Sequence, residues 1–324
     1  MMNTQFELFP KILAKNIFFS LFTSIILLSS CGTEPKEEAI ETEEEVPASS
    51  LDIVTLNMDF QAVDTIPSGW VTWRYQNRSP QPHFILIDDP LDSITVDEFR
   101  DELLPPFGEG IKKMYEGKNE EAMEAFGKIP AWFAGTTWPG GVGLTSPGMT
   151  SETTLKLEPG YYIMECYVKM KDGMFHTNMG MYKTLIVSEE KSPLEEPTAD
   201  FTIDISSENG IVFESPEKAG TYTFQVNFID QKKYEHFQGH DVNLVRIDDS
   251  GDLEAIETWM NWLNLDGLID PVPEGFTFLG GVNDMPTGST GYFKVTLEPG
   301  KYALISEVPD ASNRNLLKTF ELTP

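Results

Sequence analysis

Residues 140–166 read GGVGLTSPGMTSETTLKLEPGYYIMEC, and residues 280–306 read GGVNDMPTGSTGYFKVTLEPGKYALIS. The two stretches align without a gap. Gly140-Gly141 fall on Gly280-Gly281, Leu157-Glu158-Pro159-Gly160 on Leu297-Glu298-Pro299-Gly300, Tyr162 on Tyr302, and Cys166 on Ser306. Working upstream, HFILIDD (83–89) matches NLVRIDD (243–249), which sets His83 on Asn243. The chain therefore reads as two copies of one unit, expected at 51–188 and 199–324. The charged, Pro-containing segment EEKSPLEEPT lies between them, with the linker expected at 189–198.

Each copy reads as mainly β. In VTWRYQN (71–77), Val71, Trp73 and Tyr75 share one face, and HFILI (83–87) is a short apolar run. TLKLEPGYYIMECYV makes two strands around a Pro-Gly turn, with Tyr162, Met164, Cys166 and Val168 on one face. The second copy repeats this with Tyr302, Leu304, Ser306 and Val308. Period-two alternation bounded by Gly and Pro is the strand signature. Between the Asp-Asp and Gly-Gly landmarks each copy inserts helical material. Thr95-Val96-Asp97-Glu98 has the form of a capping box, Pro105-Pro106 are expected to end that helix, and NEEAMEAF (119–126) and LEAIETWMNWL (253–263) are further helical candidates. Two β-sandwiches with short helical insertions follow from this pattern.

The N-terminus carries Lys11 and Lys15, then the apolar run IFFSLFTSIILL (17–28), then SSCG. A short apolar run behind lysines reads as an export signal, too short for a membrane span. Leu28-Ser29-Ser30-Cys31 resembles a bacterial lipobox, which implies a signal peptide over 1–30 and lipidation of Cys31; an ordinary signal peptide with a chance Cys is the alternative. The segment GTEPKEEAIETEEEVPASS (32–50) has no apolar periodicity and is dense in Glu, so 31–50 reads as a disordered acidic tether. The expected location is the cell envelope, lipid-anchored to the outer membrane on its periplasmic or surface side.

The formal charge is −29 over 324 residues. That argues against nucleic acid and anionic lipid surfaces as partners. No phosphate-binding Gly-rich loop, HExxH or GxSxG motif is present. The chain has two cysteines and four histidines. With Cys31 lipidated, Cys166 has no partner for a disulfide, which is unusual in an exported domain. A small buried apolar side chain is the ordinary fate of such a Cys.

Cys166 opens the stretch CYVKMKDGMFHTNMGM, which also holds His176 and Met181. The first copy resembles the cupredoxins, the blue-copper β-sandwich proteins. VTWRYQNRSPQPHFIL resembles their segment in which a strand reaches Asn and a Pro-His pair follows. EPGYYIMEC is similar to their Gly-x-Tyr-x-x-x-Cys strand, and HTNMGMYKTLIV to their His-x-x-x-Gly-Met-x-x-Lys ending. More closely, the tandem resembles uncharacterised bacterial cupredoxin-like secreted proteins. The resemblance spans roughly 51–188 and implies a Greek-key sandwich. It also implies one type 1-like copper, with His83, Cys166 and His176 as equatorial ligands and Met181 as the weak axial one. The chain departs from plastocyanin in the nine residues between Cys166 and His176, although copper nitrite reductases have a comparably long loop. In the second copy Ser306, Asn243 and Leu316 stand where ligands are expected, so copper is expected in the first copy alone.

The chemistry supports the same set. Two imidazoles, a thiolate and a thioether suit both oxidation states of copper, and a site held between their geometries suits outer-sphere electron transfer. Met149, Met164, Met170, Met174 and Met179 crowd the loop; they suit copper capture or adaptable packing. His236 and His240 have metal-compatible spacing only on a helix, and their neighbours read as a loop, so they are expected at the surface. Four histidines do not suffice for a multicopper oxidase. Asp88-Asp89 and Asp248-Asp249 read as a shared structural turn. The expectation is a non-enzymatic, membrane-tethered copper protein for electron transfer or copper handling, with a redox or copper-donor protein as partner. A metal-free scaffold or binding lipoprotein is the alternative.

Overall fold

The structure is a computed structural model, and it describes residues 50–90 and 94–324. The expected signal peptide, Cys31 and all of the expected tether but Ser50 lie outside the described residues. Among the described residues no helix is long and apolar enough to cross a membrane.

Strand alternation behaves as the pattern requires. In β2 (Thr65–Asn77), Val71, Trp73 and Tyr75 are fully buried while Arg74 between them is exposed. The first copy continues with β3 (His83–Asp88), β4 (Gly141–Thr145), β5 (Thr150–Leu157), β6 (Gly160–Glu165) and β7 (Tyr182–Lys191), and β1 (Ser50–Thr55) runs parallel to β2. One sheet orders as β1-β2-β5 and the other as β4-β3-β6-β7. β2 serves both sheets: Thr65–Ser68 pairs with β7, and Gly69–Gln76 pairs with β5. Gly69 marks the corner at φ +96°, a conformation that costs glycine nothing.

The second copy comprises β8 (Phe201–Ser206), β9 (Gly210–Phe213), β10 (Gly220–Phe228), β11 (Val242–Ile247), β12 (Phe276–Val282), β13 (Thr290–Leu297), β14 (Gly300–Ile305) and β15 (Leu317–Leu322). It repeats the two layers as β13-β10-β8-β9 and β12-β11-β14-β15. Both copies are two-layered β-sandwiches. Each is closed by the same device after its Pro-Gly turn: the Tyr162 hydroxyl donates to Glu158 O at 2.9 Å, and the Tyr302 hydroxyl to Glu298 O at 2.8 Å. A tyrosine bonding back to the chain just upstream pins the sheet-to-sheet corner.

The copies join strand to strand in both layers, β4 against β12 and β5 against β13. Val142 pairs with Val282 and Thr153 with Phe293, each with its own counterpart, while Thr154–Tyr292 and Glu152–Lys294 are exchanged pairs. That reciprocity is the mark of a two-fold relation. The segment between the copies also packs on both: Leu194 bridges to Trp70, and the Tyr292 hydroxyl donates to Glu196 at 2.6 Å.

The helical insertions follow the sequence in part. Thr95 and Glu98 make the capping box at the start of α1 (Val96–Glu98). The Pro105-Pro106 pair does not end the helix. A wide turn over Phe99–Leu103 comes first, and the prolines occupy the opening turn of α2 (Leu104–Tyr115). There their missing N–H groups have no intrahelical role. α3 (Asn119–Phe126) follows, and α4 (Leu253–Met260) is the insertion of the second copy.

Register corrects one alignment. Leu86 lies opposite Glu165 and Gly141, and Asn243 lies opposite Ile305 and Gly281. Asn243 is thus the counterpart of Leu86, three positions from the sequence match, and His240 is the counterpart of His83. The Asp-Asp pairs that suggested the match are not equivalent. Asp88 is buried and accepts from Trp138 Nε1 at 2.8 Å, while Asp248 and Asp249 are exposed beyond the end of β11. Short apolar runs carry little internal information about register.

Candidate metal centre

The loop feeding β3 is organised by Asn77. Its Nδ2 donates to Gln81 O at 2.7 Å and to Thr145 O at 2.8 Å, while its Oδ1 accepts from Ser79 N–H at 3.0 Å. Ser79 is thereby held under His83, with Oγ 2.9 Å from Nε2. That contact turns the other ring nitrogen, Nδ1, toward the end of β6.

Cys166 follows β6 directly, and the chain after it forms a hairpin. His176 N–H donates to Val168 O at 2.8 Å, and Met170 N–H to Met174 O at 2.8 Å. The long loop is also fastened to the second copy. Lys169 is fully buried, and its Nζ donates to Trp262 O at 2.9 Å, Asn264 O at 2.7 Å and Leu265 O at 3.2 Å. Its backbone N–H donates to Leu268 O, and its carbonyl accepts from Asp270 N–H. An ammonium so buried needs such a cage of carbonyls; burial holds its pKa down at about 8.

These supports converge three donors. Cys166 Sγ is 3.6 Å from His83 Nδ1 and 3.8 Å from His176 Nδ1, and the two nitrogens are 3.1 Å apart. All three side chains are fully buried, and they form the one such cluster found among the described residues. Met181 is fully buried beside them. Its carbonyl accepts from Cys166 N–H at 3.2 Å, and its N–H donates to His176 O at 3.0 Å.

Burial sets the electrostatics. It pushes the Cys166 thiol up to about 12, although hydrogen bonds from the Phe84 and Val168 backbone pull the other way. Burial, with the neighbouring His176 second, holds His83 down at about 2, and burial alone holds His176 at about 4. The three groups are neutral by themselves, and their Nδ1 and Sγ atoms crowd one point. A cation placed there inverts this logic, favouring thiolate. Two inward Nδ1 atoms and one sulfur, with Met181 buried next to them along the chain, match the type 1 donor set, and copper is the metal that it fits. Ser79 also completes it, since a ligating imidazole characteristically donates its other N–H outward. His176 Nε2 is buried and has no such partner.

In the second copy Ser306 Oγ meets the N–H groups of Asp241 and Val308, as Cys166 meets Phe84 and Val168. Ser306 N–H donates to Leu316 O, and Leu316 N–H to Ala311 O. Leu316 is therefore the counterpart of Met181 as the sequence suggested, and Ala311 that of His176. His236 and His240, expected at the surface, lie in a loop but are fully buried. Sequence reasoning missed Ser79, Lys169 and Ala311. Ser79 had a local signal, four residues before His83 in an Asn- and Pro-rich turn; the partners of Lys169 lie in the other copy.

No family model matches the chain, and no curated protein matches it. Among solved structures, it is similar to dithionite-reduced auracyanin from Roseiflexus castenholzii. That match has 18% identity over 44% of this chain and 98% of the other, with a TM-score of 0.27. It is similar to auracyanin A, a blue copper protein of Chloroflexus aurantiacus, at 18% identity over 43% and 98%, with a TM-score of 0.26. A copper-containing nitrite reductase from Thermus scotoductus matches at 11% identity over 85% of this chain and 61% of its own, with a TM-score of 0.21.

Proposed function

We propose that this protein holds one copper ion between His83, Cys166, His176 and Met181 and uses it to carry electrons or to hand on copper. The observation that carries this reading is the convergence of two Nδ1 atoms and one Sγ within 4 Å of one another in a fully buried place. Bound copper would supply a one-electron couple. The chain's part is to hold the donors: Ser79 orients His83, and Lys169 fastens the hairpin that brings His176. Burial of the donors suits outer-sphere transfer better than bond-making on a substrate. We further propose that lipid on Cys31 tethers the protein to the cell envelope, where a redox or copper-donor protein is its partner. The second copy serves as a metal-free support.

The test is a Cu(II) titration of the reduced chain. One equivalent is expected to give an intense visible thiolate-to-copper band, and Cys166→Ser to abolish it, because a hydroxyl stays protonated and is a harder donor. A colourless wild type would instead favour a metal-free scaffold. For the anchor, wild type is expected to partition into detergent and Cys31→Ala into water; equal partitioning would sink the lipid assignment.

A further inference from the structure

His83, Cys166 and His176 are fully buried, so a metal ion reaches them only when a wall of the site opens. Two walls stand against the ligand hairpin. One is the second copy, which holds the Lys169 ammonium by the carbonyls of Trp262, Asn264 and Leu265 and its peptide by two backbone bonds. The other is the helix pair α2 and α3 of the first copy. This pair touches the hairpin on both sides of His176. Asn178 Nδ2 donates to Leu104 O at 2.7 Å, where α2 begins. Gly108, one turn further on, makes room for that amide, since a Cβ there would lie 2.8 Å from Nδ2. At the far end of α2 the Tyr115 ring lies on Gly173, where a Cβ would collide with it. The Tyr115 hydroxyl donates to Leu265 O of the second copy.

The seam beneath the helix pair is the weaker of the two. Leu103, Leu104 and Phe107 meet Phe175, Thr177 and His236 there around a cavity of about 40 Å³. The Thr177 hydroxyl and both ring nitrogens of His236 are buried without a hydrogen-bond partner. Unpaired buried groups disfavour a closed seam, and water satisfies them once it opens. Elsewhere the pair rests on the second copy through ring edges, Phe107 on Phe237 at 5.6 Å and Phe126 on Trp262 at 6.2 Å. In the chain it is carried between the wide turn over Phe99–Leu103 and the short 3₁₀ helix Ala131–Gly135. Wide turns of this kind are frequent at functional sites. The Lys169 side offers no such weakness, because each proton of its ammonium has a carbonyl.

We propose that α2 and α3 form a movable cap over the ligand hairpin, latched by Asn178 and Tyr115, and that metal reaches His83, Cys166 and His176 when this cap lifts. Lifting breaks the Asn178–Leu104 and Tyr115–Leu265 bonds. It leaves the Lys169 cage in place, so the hairpin keeps its shape while its outer side meets water. The passage of metal rests on the copper reading above; the motion of the cap does not.

Thiol labelling of the metal-free full chain reads the motion without copper. Iodoacetamide is applied in native buffer, and its reaction is followed on the Cys166 peptide by mass spectrometry, which separates it from Cys31. A buried thiol reacts only through open forms, so the rate reports how much of the chain has its cap lifted. Asn178→Ala and Tyr115→Phe each remove one bond of the latch, and each is expected to speed labelling about fivefold. The double variant is expected to label about 25-fold faster than wild type, since the two bonds lie on one moving body. Ile53→Val, fully buried in β1 of the same sandwich, is the control for global unfolding. It is expected to shift the unfolding equilibrium in urea about fivefold while changing labelling by less than about twofold. Labelling that rises in Ile53→Val as much as in the latch variants, or latch variants that label as slowly as wild type, would overturn the proposal. Faster labelling in latch variants of a chain that gives no copper band would fell the copper reading and leave the cap.

Discussion

The two copies place different chemistry on one backbone. Where the first gathers His83, Cys166, His176 and Met181, the second has His240, Ser306, Ala311 and Leu316. His240 lies against Tyr234, with Nε2 2.7 Å from the hydroxyl, and Ser306 donates to Asp241 Oδ1 at 2.7 Å. Asp241 also accepts from Glu307 N–H at 2.6 Å and from the Asn243 amide, whose own oxygen accepts from Leu144 N–H of the first copy at 2.7 Å. The second copy closes its polar groups on one another. The first aims soft donors at a common point. The scaffold holds either arrangement, so the side chains placed on it set the two copies apart.

The largest expected effect concerns what the copies share. A Cβ on Gly141 would lie 1.8 Å from Ile85 O, and one on Gly281 would lie 2.0 Å from Val242 O, with φ +159° and +142°. Gly141→Ala and Gly281→Ala are each expected to destabilise by about 3 kcal/mol or more, read by urea unfolding. If one is tolerated and the other is not, the two backbones are not equivalent.

The next effect separates the equivalent histidines. His83→Ala is expected to weaken Cu(II) affinity by about a hundredfold or more, since loss of a supporting group alone costs up to that. His240→Ala is expected to leave it unchanged. Competition with a chelator reads both, and a loss of copper in His240→Ala would break the assignment of the second copy.

A smaller effect comes from Asp241, whose counterpart is the apolar Phe84. Burial lifts its carboxyl from 3.8 to about 6, against the hydrogen bonds from Ser306, Glu307 and Asn243. Because the folded pKa lies above the unfolded one, its contribution is fully present below about pH 4 and is lost as pH rises through about 6. Wild type is expected to lose about 2–3 kcal/mol relative to Asp241→Asn across that window, with no further change above it. Urea unfolding of both proteins at several pH values reads the difference. A gap that stays constant would mean that Asp241 is not buried as an acid.

Much of the candidate site was legible because three of its four residues sit in a local signal. Cys166 ends an alternating strand, His83 follows an Asn- and Pro-rich turn, and Met181 follows Gly180, which takes φ +102°. Lys169 was illegible because a buried ammonium reads as an ordinary loop lysine until its carbonyl partners are known. His236 and His240 misled for the same reason, since polar loop residues are usually solvated.

Turn chemistry and period-two alternation pointed to two β copies, and the resemblance of the first to the blue-copper sandwiches singled out His83, Cys166, His176 and Met181. These are local properties, set within a few residues of chain. Only the folded molecule decided that β4 and β5 continue into β12 and β13, that His240 rather than Asn243 stands opposite the role of His83, and that carbonyls of one copy hold the ligand hairpin of the other. Those facts depend on which faces meet across more than a hundred residues. A short apolar strand slides by several positions without changing its own pattern, so only its neighbours fix the register.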